Sequence, residues 1–232
     1  MTSGSTIIKD FKRPDRELVE KFADVPVANL DDCMGRVAAV HENIRPYNKS
    51  KLLGTAFTVK VPEGDNLMFH VAMDLAKPGD VIVIDAGGDT RRSIFGELMV
   101  TYCRMRGIRG IVVDGSIRDV DAMSRMTDFA IYARGVTPDG PYKNGPGEIN
   151  TPVVCGGRVV YPGDIVLGDE DGVIFVRPQE ASTLLEKVEK LHANEVKILA
   201  TMAQDGTYIR PWVEKKLAEH NPEYADFADY TK

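Results

Sequence analysis

Two short apolar runs closed by glycine, Asp80-Val-Ile-Val-Ile-Asp-Ala-Gly-Gly88 and Gly110-Ile-Val-Val-Asp-Gly115, constrain this chain more than any other feature. Each is a continuous β-branched run without the alternation of a half-exposed strand, the pattern of a strand buried on both faces. Between them, Gly96–Arg106 (GELMVTYCRMR) has helical spacing and stops at Gly107. Strand, helix and strand with short connections predict a β-α-β unit, with its loops at the carboxyl ends of the strands.

The rest of the chain is read around that unit. Pro14–Asp24 reads as an amphipathic helix with Leu18 and Phe22 on one face, and Val27–Met34 as a short helix capped by Asn29 and stopped at Gly35. Gly54–Pro62 reads as a strand, Asn66–Ala76 as a helix and Lys77–Asp80 as a turn. Ala133–Asp164 is rich in glycine, proline and valine and predicts short strands and turns. Asp164–Pro178 predicts a hairpin about an Asp-Gly step, and Pro178–Ala203 a long helix. The expected organisation is an N-terminal helical segment (1–26), one mixed α/β domain (27–206) and a C-terminal extension (207–232) carrying Trp212, Tyr224, Phe227 and Tyr230.

Composition narrows the function. A net charge of −6 over 232 residues speaks against a general nucleic-acid binder, which needs a basic footprint. Three dispersed cysteines without a Cys-x-x-Cys suit a reduced compartment, and four isolated histidines give no zinc signature. No stretch approaches a membrane span and the N-terminus has no apolar signal core, so a soluble, cytoplasmic protein is expected.

Two loops and one helix carry candidate chemistry. After the first apolar run come Gly87 and Gly88, then a helix beginning near Gly96, whose free N–H groups would suit a carboxylate or phosphate. The glycines equally serve to turn the chain. After the second run, Asp114, Arg118, Asp119 and Asp121 crowd into eight residues. Carboxylates there would suit a hard divalent cation, and Arg118 a substrate carboxylate or keto oxygen; a solvated salt bridge is the plainer alternative. On the long helix, Leu184, Val188, Leu191, Glu195, Ile198 and Met202 fall on one stripe, and Glu195 interrupts it. Glu195 either marks the edge of the buried strip or points into an interface. His70 and His192, as lone histidines, read as packed or solvated.

The strings GDVIVIDAGG, FGELM, GIRGIVVDGSIRDVD and TPVVCGGRVVYPGDIVLGDEDGVIFV resemble the RraA-like family. It includes class II 4-hydroxy-4-methyl-2-oxoglutarate / 4-carboxy-4-hydroxy-2-oxoadipate aldolases and regulators of ribonuclease E activity. The resemblance spans Val27–Gly206. It implies a layered β/β/α fold of the swivelling-domain type with a C-terminal helical arm, assembled as a homotrimer or homohexamer.

By the same resemblance, an acidic residue, twenty intervening residues and Arg-Asp form the core of the site, matched here by Glu97, Arg118 and Asp119. Asp119 would be the direct ligand of Mg²⁺ or Mn²⁺, and Arg118 would bind the keto oxygen and carboxylate of the pyruvyl portion. The Leu98 and Met99 amides, at the helix start beside Gly96, would hold the substrate carboxylate. Glu97 would orient a water of the metal's shell, Asn66 would touch substrate, and Glu195 would complete a neighbouring subunit's site. Two departures are visible: Glu97 stands where an aspartate is usual, and Ala122 stands where an acid often follows the Arg-Asp pair.

The expected activity is a divalent-metal-dependent lyase that cleaves a 4-hydroxy-2-oxo dicarboxylic acid to pyruvate and an oxo acid, with accompanying oxaloacetate decarboxylation. The alternative is a non-catalytic protein inhibitor of an RNA-degrading endonuclease. A methyltransferase fits least, since the helix and Arg-Asp element after VIDAGGDT do not suit a methyl-donor loop. The expected partner is a small 2-oxo acid, with neither nucleic acid nor membrane.

Overall fold

The computed structural model describes residues 5–224. Phe227 and Tyr230 of the aromatic tail lie outside them. One compact unit ends at Val188 and a second begins at Glu189.

In the first unit the chain runs β1 (Thr6–Ile7), α1 (Arg16–Glu20), α2 (Val27–Cys33), β2 (Arg45–Pro46), β3 (Leu52–Lys60) and α3 (Leu67–Leu75). It continues through β4 (Asp80–Asp85), β5 (Ser93–Phe95), α4 (Glu97–Met105), β6 (Gly110–Ile117), α5 (Val120–Met123) and β7 (Ala130–Val136). Then come β8 (Glu148–Ile149), β9 (Val153–Cys155), β10 (Arg158–Val160), β11 (Ile165–Asp169) and β12 (Gly172–Val176). Helix α6 (Ala181–Asp205) begins in this unit.

The predicted β-α-β unit is the centre of the sheet. Strands β3, β4, β6 and β7 lie side by side and parallel, with Ile82 opposite Ile111 and Ile84 opposite Val113. Successive residues leave opposite faces of a strand, so each run splits between two cores. Ile82, Ile84, Ile111 and Val113 join Phe69, Met73, Val100 and Cys103 on the side covered by α3–α5. Val81, Val83 and Val112 join Val153, Val160, Val166 and Val173 on the side covered by strands. This is the β/β/α layering, and it explains why neither run alternates. A third cluster packs Val19, Phe22, Val27 and Leu30 against the β11–β12 hairpin and the first turns of α6.

Local expectations needed correction in places. The helix at 14–24 contracts to α1, and a turn follows it. Asn29 is not a cap but lies inside α2, where Pro26 takes the N-cap position and Asp169 of the distant hairpin accepts from Val27 N at 3.0 Å. A long-range carboxylate has supplanted the local cap. The loop after β4 does not lead straight into a helix: β5 intervenes and pairs in parallel with β6.

The second unit holds the rest of α6 and α7 (Pro211–His220). Along α6, Leu184 and Val188 are buried, Leu191, Glu195 and Ile198 are half-buried, and Met202 is exposed. Among the described residues no helix is long and apolar enough to cross a membrane.

Candidate active site

The parallel pairing of β5 with β6 sets Ser93 opposite Ser116 and Phe95 opposite Ile117. Beyond the pair, Arg118 N donates to Phe95 O at 3.1 Å. Residues 94–99 and 118–119, twenty positions apart in sequence, therefore meet at one end of the sheet. All of these but Glu97 line a cavity of about 240 Å³, together with Asn66 at the N-cap of α3, His70 within that helix, and Pro141 and Lys143 from the loop after β7.

Asp119 has left-handed backbone (φ 60, ψ 32), a conformation that aspartate tolerates better than most residues. That turn brings its carboxylate back over Gly96. Oδ2 accepts from Glu97 N at 3.1 Å, and Arg118 Nε stands 3.8 Å away. A Cβ at residue 96 would collide with that oxygen, so only glycine leaves the carboxylate where it stands. Gly87 (φ 67) and Gly88 (φ 72), by contrast, turn the chain away from β4, the plainer of their two readings.

The first turn of α4 has one amide committed to Asp119, while those of Leu98 and Met99 make no hydrogen bond among the described residues. Two free N–H groups at a helix start attract an anion. Asn66 is almost fully buried: its amide nitrogen donates to Ile94 O at 2.8 Å, and its oxygen finds no partner among the described residues.

The cavity thus gathers Asn66, Gly96, Leu98, Met99, Arg118 and Asp119, with Glu97 exposed beside it. Two neighbours in sequence fall away. Asp114 is buried and bound by Arg134 Nε at 2.5 Å and Gly156 N at 2.8 Å, and Asp121 is a solvated partner of Arg125. Glu195 belongs to the second unit, where His192 Nδ1 stands 3.9 Å from its carboxylate.

Lys143 was not singled out from sequence, and His70, read there as packed or solvated, is half-buried in the cavity wall. For His70 a signal existed, since it lies one helical turn after Asn66 and shares its face. Burial holds its pKa below the usual histidine value, with Lys143 adding to the effect, so it is neutral at pH 7. For Lys143 no local signal exists.

The donor set suits a hydrated hard cation. Among the described residues no three His, Cys, Asp or Glu side chains are gathered to cage a metal. Asp119 offers one carboxylate, which is enough for an ion that keeps most of its water. A larger hollow of about 400 Å³ opens at the opposite ends of the strands. Its guanidiniums are matched by carboxylates, Arg13 on Asp80 at 2.6 Å and Arg104 on Asp128 at 2.7 Å, which leaves little to hold a ligand.

Residues 21–175 match the profile of the RraA-like family, described as Aldolase/RraA. The chain belongs to the RraA-like family. A relative from Halalkalibacterium halodurans, named "Putative 4-hydroxy-4-methyl-2-oxoglutarate aldolase", is 37% identical over 202 residues, covering 87% of this chain and 96% of the relative. A structure of an uncharacterized protein from Pseudomonas syringae pv. tomato shares the fold at a TM-score of 0.73 and 21% identity, over 85% of this chain and 98% of that one. Streptomyces coelicolor RraAS2, titled an unusual member of the RNase ES inhibitor RraA protein family, superposes at a TM-score of 0.69 with 26% identity, over 82% of this chain and all of that one. Within the RraA-like family, then, names point both to aldolases and to a nuclease inhibitor.

Proposed function

We propose that this chain is a divalent-metal-dependent lyase that cleaves a 4-hydroxy-2-oxo dicarboxylic acid to pyruvate and a second oxo acid, and that it also decarboxylates oxaloacetate. The observation that carries this reading is the convergence of Asp119, Arg118 and the free Leu98 and Met99 amides on one cavity. The Halalkalibacterium relative's name supports it.

Asp119 would hold Mg²⁺ or Mn²⁺, which when bound supplies Lewis-acid polarisation of the substrate's keto oxygen. The α4 amides take the C1 carboxylate and Arg118 takes the keto oxygen. Glu97 orients the water that accepts the C4 hydroxyl proton. As that proton leaves, the C3–C4 bond breaks, C4 becomes the carbonyl carbon of the released oxo acid, and the bond's electron pair moves into a pyruvate enolate. Arg118 stabilises the charge that develops on the enolate oxygen. Protonation at C3 completes pyruvate. Loss of CO₂ from oxaloacetate yields the same enolate, so one site serves both reactions. Glu195 of a neighbouring copy would complete the site in a homotrimer or homohexamer.

The test is a coupled assay for pyruvate release from 4-hydroxy-4-methyl-2-oxoglutarate and from oxaloacetate, with and without Mg²⁺. No metal-dependent turnover on either would remove the proposal. The Streptomyces structure's title supports the other reading, a non-catalytic inhibitor of an RNA-degrading endonuclease. Co-purification with such a nuclease, together with absent turnover, would favour it.

A further inference from the structure

The wall of the cavity formed by the loop after β7 carries a lysine that the reading above leaves without a task. Among the described residues, the Lys143 ammonium has no hydrogen bond or ion pair, although it lines the same cavity as Arg118 and Asp119. A lysine on a loop is ordinarily a solvated charge. This one is exposed as well, but its backbone is fixed on both sides. Tyr142 O accepts from Asn66 N at 3.0 Å, and Tyr142 N donates to Gly64 O at 2.8 Å. The buried Asp65 carboxylate accepts from Asn144 N at 2.6 Å and Gly145 N at 3.1 Å. Arg92 stacks on the Tyr142 ring at 4.2 Å and donates to Gly140 O at 2.9 Å.

The same loop reaches the other cation of the cavity. A Cβ at Gly140 would lie 3.2 Å from Arg118 Nη1, and three residues of chain span at most about 11 Å. The cavity therefore presents two cations on a fixed frame. Arg118 is partly engaged with Asp119, while Lys143 makes no ion pair among the described residues and is near enough to His70 to depress its pKa. Such a pair matches a ligand with an anionic group at each end.

We propose that Lys143 binds the second, distal carboxylate of the substrate and so makes the cavity selective for 2-oxo diacids over 2-oxo monoacids. This rests on the reading of the cavity as a 2-oxo acid site in which Arg118 and the α4 amides hold the pyruvyl end. A charge-assisted hydrogen bond to a carboxylate in a partly enclosed site changes affinity by roughly 10- to 100-fold.

The test compares two unreactive probes on the full chain in Mg²⁺ by calorimetry. These are 2-oxoglutarate and 2-oxopentanoate, which have the same carbon chain and differ only in the distal carboxyl. The wild-type protein binds the diacid roughly tenfold or more tightly. Lys143→Met abolishes that ratio and leaves 2-oxopentanoate affinity unchanged, and Lys143→Arg restores most of it. A wild-type ratio near one, equal weakening of both probes in Lys143→Met, or binding of neither probe overturns the proposal. If the ratio behaves as expected but no hydroxy-oxo diacid is cleaved, the lyase reading fails while the role of Lys143 stands. Cleavage with a ratio that ignores Lys143 refutes the lysine's role alone.

Discussion

The carboxylate of Asp119 occupies the space in which a side chain at Gly96 would begin, and it is held there by the amide of Glu97. A left-handed residue on one loop and a glycine twenty-three positions earlier are thus parts of one device. It fixes an acidic oxygen beside a helix start.

Gly96→Ala should displace that oxygen without unfolding the chain. The added Cβ meets Asp119 Oδ2 and comes within 3.1 Å of Arg118 Cγ, and both belong to exposed side chains that can move. A displacement of about 1 Å at a positioned group lowers turnover by on the order of 100-fold. Pyruvate release should fall by that amount while the thermal midpoint changes little. Full activity in this variant would show that the Gly96–Asp119 approach does not matter to the chemistry.

Asp119 has separable chemical and conformational roles. Asp119→Asn keeps a side chain that tolerates left-handed backbone, so stability should hold while the Mg²⁺ response disappears. Asp119→Ala should lose the same response and also about 1 kcal/mol of stability, because alanine resists that conformation. Mg²⁺-dependent thermal shifts and urea midpoints measure the two effects. Retained metal response in either variant would remove Asp119 as the ligand.

His70 gives a pH dependence with a definite sign. Burial and then Lys143 lower its folded pKa below the ordinary 6.5, so the unfolded chain takes up the proton first as pH falls. The associated stability is fully present above 6.5 and is lost as pH drops through the folded value. The loss is small because the ring is only partly buried. A histidine ring titration by NMR should place the midpoint below 6.5, and Lys143→Met should raise it. No response to Lys143→Met would mean that the two side chains do not share the cavity wall in solution.

A site shared between subunits would be complemented in mixtures. Arg118→Ala and Glu195→Ala homo-oligomers should each be nearly inactive. Mixed oligomers, formed by co-expression, should recover a measurable fraction of wild-type turnover because some sites then carry both residues. Recovery no greater than the sum of the two parents would place Glu195 outside the site of a neighbouring copy.

The sequence by itself determined the central layer and made half of the candidate site legible. Apolar runs at 80–85 and 110–114 can be buried only on both faces, which requires covering layers on each side. The helix start at Gly96 and the Arg118–Asp119 step are local features, legible because capping geometry and charge act over a few residues. What only the tertiary structure decided is which of the crowded groups face the cavity. Asp114 and Asp119 stand five residues apart and look alike in sequence, yet Arg134 and Gly156 claim the first while a left-handed turn delivers the second to Gly96. Lys143 depends on Asp65 and Asn66, some eighty residues earlier. Its place in the cavity comes from long-range hydrogen bonds, and no window of neighbouring residues contains them.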